Sequence, residues 1–145
     1  MNALFENRIL LAAALAWSIA QVSKVALELI VQHKLNLRRF VSSGGMPSSH
    51  AALVMGLTTA VGHMEGVNST VFAISLVLAS IVMYDAAGVR RAVSIQARIL
   101  NQMIDEAFKG QPFAEQRLRE LIGHTPVQVF VGAILGVIIG LLMTQ

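Results

Sequence analysis

Two histidines and a group of basic side chains are the residues of this chain best suited to chemistry. His50 follows a turn of glycine, proline and serine, and His124 ends a long polar region. Arg90 and Arg91 lie between the two histidines in the sequence, and Lys24 precedes both. Cationic groups stabilise the charge on a phosphate, while one histidine can attack phosphorus and another can protonate the leaving oxygen. The set is therefore suited to phosphoryl transfer.

A metal site built from the two histidines and Asp85 is the alternative interpretation of the same residues. The excess of nearby cations makes an anion the better ligand, so we predict neither a metal nor a cofactor. The chain has no cysteine, which excludes zinc ribbons, thiol catalysis and iron–sulfur clusters. It also contains neither a Walker loop nor a Rossmann fingerprint.

The composition indicates that a lipid bilayer surrounds these residues. Of 145 residues 55% are hydrophobic and 13% charged, and the mean hydropathy is +0.67. Four apolar stretches, over 9–31, 51–62, 70–84 and 126–143, lack the two-residue alternation of strands. A membrane-spanning helix needs about 20 such residues. We predict an all-α integral-membrane bundle of about four transmembrane helices in a single domain, 1–145.

Polar residues within and between these stretches predict further detail. Gln21, Lys24 and Glu28 share one helical face with Ser18, so this stripe is expected to face protein. A signal peptide is the competing interpretation of the first stretch, but no small-residue cleavage site is evident. Between the third and fourth stretches, the polar region 85–124 predicts an amphipathic interfacial helix and a short second helix over 113–122.

Four crossings place most of the basic residues on one side of the membrane. Nine of the eleven Lys and Arg residues fall in the loop 32–47 or the region 85–124. By the positive-inside rule this side is cytoplasmic. His50, Asp85 and His124 belong to the same side. Nucleic-acid binding is not expected, because the basic residues lie against the bilayer and no set of stacking aromatic residues accompanies them.

Three motifs in order carry a resemblance to a known family: GGMPSSH at 44–50, YDAAGVRR at 84–91 and GHTP at 123–126. The chain resembles, over nearly its whole length, the divergent branch of the type-2 phosphatidic acid phosphatases, relatives of vanadium haloperoxidases. The resemblance implies a metal-independent membrane phosphatase that acts on lipid phosphate or diphosphate esters. Phosphatidylglycerophosphate and isoprenyl phosphates are both permitted substrates.

The resemblance also implies roles for single residues. His50 takes the place of the general acid, Ser48 that of a phosphate contact, and His124 that of the nucleophile that forms a phosphohistidine. The chain departs from the main family pattern at three positions: Ser49 stands in place of Gly, Leu118 in place of Arg, and Gln128 in place of Asp.

These departures require substitutes from elsewhere in the chain. Gln128 cannot stabilise a cationic imidazole as a carboxylate does, so we predict that Asp85 supplies the carboxylate. The main family pattern also begins with a Lys followed seven residues later by Arg-Pro, which this chain lacks. Lys24 or, as the alternative, Lys34 takes the place of that Lys, together with Arg39. The predicted phosphate-binding set is Lys24, Arg39, Ser48, Ser49, Arg90 and Arg91.

Two further functions and one mode of assembly are compatible with the sequence. A relative that binds an anionic lipid without hydrolysing it would explain the incomplete motifs, and a small transporter or channel subunit would use the polar stripe of the first span. Small residues recur every four positions at Gly132, Gly136 and Gly140, and also at Ala12, Ala16 and Ala20. These two ridges predict either packing against each other within one chain or a homodimer through the glycines.

Overall fold

The computed structural model describes residues 3–32, 45–107 and 125–145 of the chain. Over these ranges the protein is helical, without a strand. The helices are α1 (Ala3–Glu6), α2 (Arg8–Gln32), α3 (Ser49–Met64), α4 (Thr70–Ala87), α5 (Val89–Ala107) and α6 (Pro126–Thr144). The predicted all-α fold is confirmed, and α2, α3, α4 and α6 correspond to the four apolar stretches. The predicted short helix over 113–122 lies outside the described residues.

Short polar side chains fix where the long helices begin. Asn7 at α2, Ser69 at α4 and Thr125 at α6 each accept a hydrogen bond from the backbone N–H three residues further on, at 3.0, 3.1 and 3.4 Å. Such caps satisfy amides that the first helical turn leaves without a partner. The helix boundaries therefore follow from local sequence as well as from the apolar pattern.

The helix α3 lies at the centre of the bundle and packs against α2, α4 and α6. Ala52 of α3 is fully buried with Ala16 and Ala20 of α2, and Leu135 and Ile139 of α6 pack against this cluster. In a bilayer, helices associate through close van der Waals packing, which small residues allow. The alanine ridge predicted on the first span serves this purpose.

The glycine ridge of α6 also packs against α3. Its members Gly132, Gly136 and Gly140 are all buried. A Cβ atom at Gly136 would lie 2.5 Å from the carbonyl oxygen of Ala52, so only glycine permits this approach. On the α2 side, a Cβ at Gly56 would lie 3.0 Å from Cβ of Ala16. Both ridges thus meet α3. The glycine ridge is therefore covered by α3 of the same chain, and a homodimer through this ridge stays a prediction.

Within the described ranges, three helices are long and apolar enough to cross a bilayer: residues Arg8–Ile30 of α2, together with α4 and α6. The helix α3 has 16 residues, and its length of about 24 Å is short of a hydrocarbon core of about 30 Å. The count of four spans is therefore not confirmed. Helices on several sides surround α3, which explains how a short helix can be central to the bundle.

The predicted amphipathic helix is α5, which packs against α4. Ala97 and Asn101 are buried, whereas Ile99 and Met103 are about half exposed. An exposed apolar stripe on a helix with an opposite polar face is typical of a helix at a membrane surface. Its position at the interface remains the prediction made from the sequence.

Candidate functional site

Three helix ends meet at the end of the bundle where α3 begins. The backbone N–H of Ser48 donates to the carbonyl oxygen of Gln128 at 3.0 Å, which joins the start of α3 to the first turn of α6. Ala51, Ala86 and Val129 form a buried cluster that adds the end of α4. These contacts confirm that the start of the second apolar stretch, the end of the third and the start of the fourth lie together.

Ser48 is the N-cap of α3 and is fully buried. Its hydroxyl oxygen accepts a hydrogen bond from the backbone N–H of Ala51 at 3.4 Å. A Cβ atom at Gly132 would overlap the Ser48 backbone, so the turn before α3 is in direct backbone contact with α6. The serine predicted to contact phosphate thus has a structural task at the start of the helix.

Lys24 is buried beside the first residue of α3. Its side chain is 4% exposed, and its Nζ atom donates to Oε1 of Gln21 and to Oγ of Ser49, both at 3.0 Å. Gly45, with φ of +96°, lies next to the Lys24 stem, since a Cβ there would be 3.8 Å from Cγ of the lysine. A buried ammonium is costly unless polar partners surround it. The Lys24 cluster, consisting of Gln21, Lys24 and Ser49, supplies such partners.

The polar stripe predicted on the first span faces protein only in part. Gln21 and Lys24 are buried as expected. Ser18 is exposed, and its hydroxyl donates to the carbonyl oxygen of Ala14 at 2.8 Å. A serine that bonds back to its own helix needs no partner from another helix, and this explains why the prediction is wrong for Ser18.

His50 and Asp85 flank the junction of helix ends. His50 is the second residue of α3 and is partly buried; its Nδ1 atom is buried and makes no hydrogen bond within the described residues, although the imidazole has other interactions. Asp85 lies in the last turn of α4 and is also partly buried. Their neighbours in sequence, Ala51 and Ala86, are in the same buried cluster. The structure therefore brings together the helix ends that carry both residues.

The remaining predicted site residues are located less completely. Arg90 and Arg91 belong to the first turn of α5, which begins one residue after Gly88. Arg39 and His124 lie outside the described residues, but His124 immediately precedes the N-cap of α6 in the sequence. The proposed role of each stays a prediction.

Comparison with known proteins identifies the family. A family described as the Divergent PAP2 family matches residues 5–139. The chain belongs to the Divergent PAP2 family. A relative in Bacillus subtilis (strain 168), uncharacterized membrane protein YuiD, is 39% identical over 151 residues, which cover 97% of this chain and 96% of the relative. No solved structure shows significant similarity to the chain. The chain is thus an integral-membrane protein related to the PAP2 phosphatases.

One departure of this Divergent PAP2 protein from the main family pattern has a structural explanation. Gln128 stands where the main family has a carboxylate, and its Oε1 accepts from the backbone N–H of Thr125 at 3.1 Å. The Thr125 hydroxyl accepts in return from the Gln128 N–H, which completes a capping box. The Gln128 side chain therefore helps to start α6 by bonding to the backbone of its own first turn.

Sequence reasoning missed one side-chain contact within the candidate site of this Divergent PAP2 protein. It placed Gln21 and Lys24 on one face of α2 but did not pair Lys24 with Ser49, which is 25 residues away. The sequence does contain a signal for this contact, because a buried cation and a serine at a helix start both need polar partners. Within the described residues no group of three His, Cys, Asp or Glu side chains is arranged to hold a metal ion.

Proposed function

We propose that the protein is an integral-membrane lipid phosphatase that hydrolyses a phosphate monoester or diphosphate of a lipid. The substrate is of the phosphatidylglycerophosphate or the isoprenyl phosphate class, and no metal ion takes part. The observation that carries the proposal is the hydrogen bond from Ser48 to Gln128. It joins the turn that leads to His50 to the helix whose N-cap, Thr125, follows His124.

The proposed reaction has two steps and forms a phosphohistidine. His124 attacks phosphorus as the bond to the lipid oxygen breaks, and His50 donates a proton to that oxygen. In the second step His50 accepts a proton from water, which attacks phosphorus and breaks the bond to nitrogen. The products are the lipid alcohol, or the lipid monophosphate from a diphosphate, and inorganic phosphate.

Cations and one carboxylate have supporting roles in this proposal. Lys24, Arg39, Arg90 and Arg91 stabilise the negative charge on the phosphate oxygens in the transition state. Asp85, in the last turn of α4, stabilises the cationic form of His124. This role is supported by the use of Gln128 in the capping box of α6.

Phosphate release by the purified protein tests the function. We expect detergent-solubilised wild type to release phosphate from at least one of a panel of lipid phosphates. His124→Ala should reduce release to background, and His50→Ala should reduce kcat about 100-fold, since proton transfer supplies factors of this size. His63→Ala is the matched control, because His63 lies exposed at the other end of α3. Activity that is equal in wild type and His124→Ala would exclude His124 as the nucleophile.

A second candidate function is the binding of an anionic lipid without hydrolysis. The capping role of Gln128 favours it, because the carboxylate of the main family is missing at that position. In this case wild type would release no phosphate from any lipid, and binding of the head group would persist in His124→Ala.

The active-site side of the membrane is proposed to be cytoplasmic, as the distribution of basic residues predicts. The absence of native cysteine permits labelling of single cysteines introduced at Gly110 and Gln145 in intact cells. A membrane-impermeant reagent should label the cysteine at 145 and not the one at 110. Labelling at 110 alone would reverse the orientation and favour an external substrate, such as a recycled polyprenyl diphosphate.

A further inference from the structure

The Lys24 cluster joins two helices that are far apart in the sequence. Gln21 and Lys24 lie one turn apart on α2, and Ser49 is the first residue of α3. The exposed fractions of the three side chains are 6%, 4% and 1%. Buried polar side chains that are held by defined hydrogen bonds have few alternative positions. Gln21 and Ser49 therefore both restrict the position of the ammonium.

Ser49 stands directly before the proposed general acid His50. Its Oγ accepts a hydrogen bond from Nζ of Lys24, so the ammonium lies beside the turn that presents His50. The main family pattern has glycine at this position, and glycine offers no side-chain acceptor. The serine therefore supplies a contact that the main pattern cannot make.

Gln21 gives the ammonium a neutral acceptor. Its Oε1 lies 3.0 Å from Nζ, within the range of a good hydrogen bond. An amide oxygen binds an ammonium without adding negative charge, whereas a carboxylate at the same place would cancel its charge and repel an incoming phosphate. The residue type at position 21 thus affects how strongly Lys24 attracts an anion.

We infer that Gln21 and Ser49 are positioning residues that hold the Lys24 ammonium beside the start of α3 for contact with the substrate phosphate. This inference rests on the proposed function in that it uses the same site. It assigns Ser49 a contact with Lys24 instead of the direct phosphate contact predicted from the sequence. It also adds Gln21, for which the sequence predicted no role in the site.

Variants of these two residues test the inference on the full chain in detergent. Binding of inorganic phosphate is measured by isothermal titration calorimetry, and kcat and KM are measured with the best lipid phosphate. We expect Gln21→Glu and Ser49→Ala each to weaken phosphate binding about tenfold, because the glutamate cancels the charge of Lys24 and the alanine removes one charge-assisted hydrogen bond. KM should rise more than kcat falls. Ser49→Thr keeps the hydroxyl and should restore most of the lost binding.

The control for the charge change is Gln96→Glu, because Gln96 is exposed on α5. This variant should bind phosphate as wild type does. Thermal unfolding of every variant, followed by circular dichroism, separates positioning from a purely structural role. If Gln21→Glu or Ser49→Ala misfolds, Gln21→Met and Ser49→Gly replace them with the same expected loss of binding.

The outcomes separate this inference from the proposed function. If wild type hydrolyses lipid phosphates but folded variants bind phosphate and react as wild type does, the inference is wrong and the function stands. If wild type hydrolyses none but binds phosphate, and the variants bind it more weakly, the function is wrong and the inference stands. Absence of both activity and phosphate binding in wild type overturns both.

Discussion

The two ends of α3 contain different kinds of residue and make different contacts. At its start, Ser48 and Ser49 are buried among polar partners, and Lys24 reaches in from α2. Towards its end, Gly56 and Gly62 let other helices approach closely, with a Cβ at Gly62 lying 2.8 Å from the Phe72 ring. One helix therefore combines two tasks: its apolar part packs the bundle together, and its polar start presents the candidate site.

A large substitution in the glycine ridge is expected to have the largest effect on the apolar part. Gly136→Leu would place a side chain where a Cβ alone lies 2.5 Å from the Ala52 carbonyl oxygen. Overpacking costs about 1–3 kcal/mol and more against rigid backbone, so we expect little folded protein and no activity. Circular dichroism and size-exclusion chromatography measure this. The control Ile134→Leu, on the exposed face of the same helix, should remain folded.

Removing the cation from the polar start should affect activity far more than folding. Lys24→Met is expected to lower kcat/KM about 100-fold, as the loss of a group that stabilises the transition state typically does. The matched control is Arg8→Met on the same helix, since Arg8 lies at the opposite end and bonds only at 3.3 Å to the backbone of Gln145. Equal activity in the two variants would show that Lys24 does not belong to the site.

The cap at the start of α3 is expected to have an intermediate effect on stability. Ser48→Ala removes the acceptor for the Ala51 N–H, and loss of such a cap costs about 1 kcal/mol. The thermal midpoint should fall by a few degrees, and kcat/KM should fall as well because His50 lies in the same turn. A lower midpoint with unchanged kcat/KM would show that the cap and the site are independent.

The smallest effect is expected from a hydrogen bond in the apolar part. The Thr58 hydroxyl lies 2.8 Å from the carbonyl oxygen of Val54 and 3.1 Å from that of Ser75 on α4. Thr58→Val should lower the free energy of unfolding by about 1 kcal/mol and leave kcat/KM unchanged. A loss of activity without a loss of stability would contradict the division between the two ends of α3.

The sequence predicted the helices well because the apolar stretches and the capping residues are local signals. Thr70 and Pro126 are the observed first residues of α4 and α6, as predicted from the apolar stretches. The helix α3 extends beyond the apolar stretch 51–62 at both ends, because Ser49, His50 and His63 are polar. Its central place, and its use of both small-residue ridges, could not be predicted, since periodicity reveals a face but not its partner.

Within the candidate site, the sequence predicted a shared helical face but not the contact between helices. Gln21 and Lys24 were placed on one face correctly because helical spacing requires it. The contact of Lys24 with Ser49 depends on how far α2 and α3 are shifted relative to each other along their axes. The local sequence contains no signal for this shift. Gln128 was recognised as a departure from the family pattern, but its role in the capping box became evident only from its bond to Thr125.

The proposed function depends on phosphoryl transfer through His124 at the junction where α3 begins. The most direct test is to incubate the protein with a lipid phosphate labelled with radioactive phosphorus, quench it rapidly, and search for label on protein. Wild type should carry a label that is stable in alkali and lost in acid, as a phosphohistidine is, and His124→Ala should carry none. Lipid hydrolysis by wild type without labelled protein, or equal labelling of both proteins, would contradict the account.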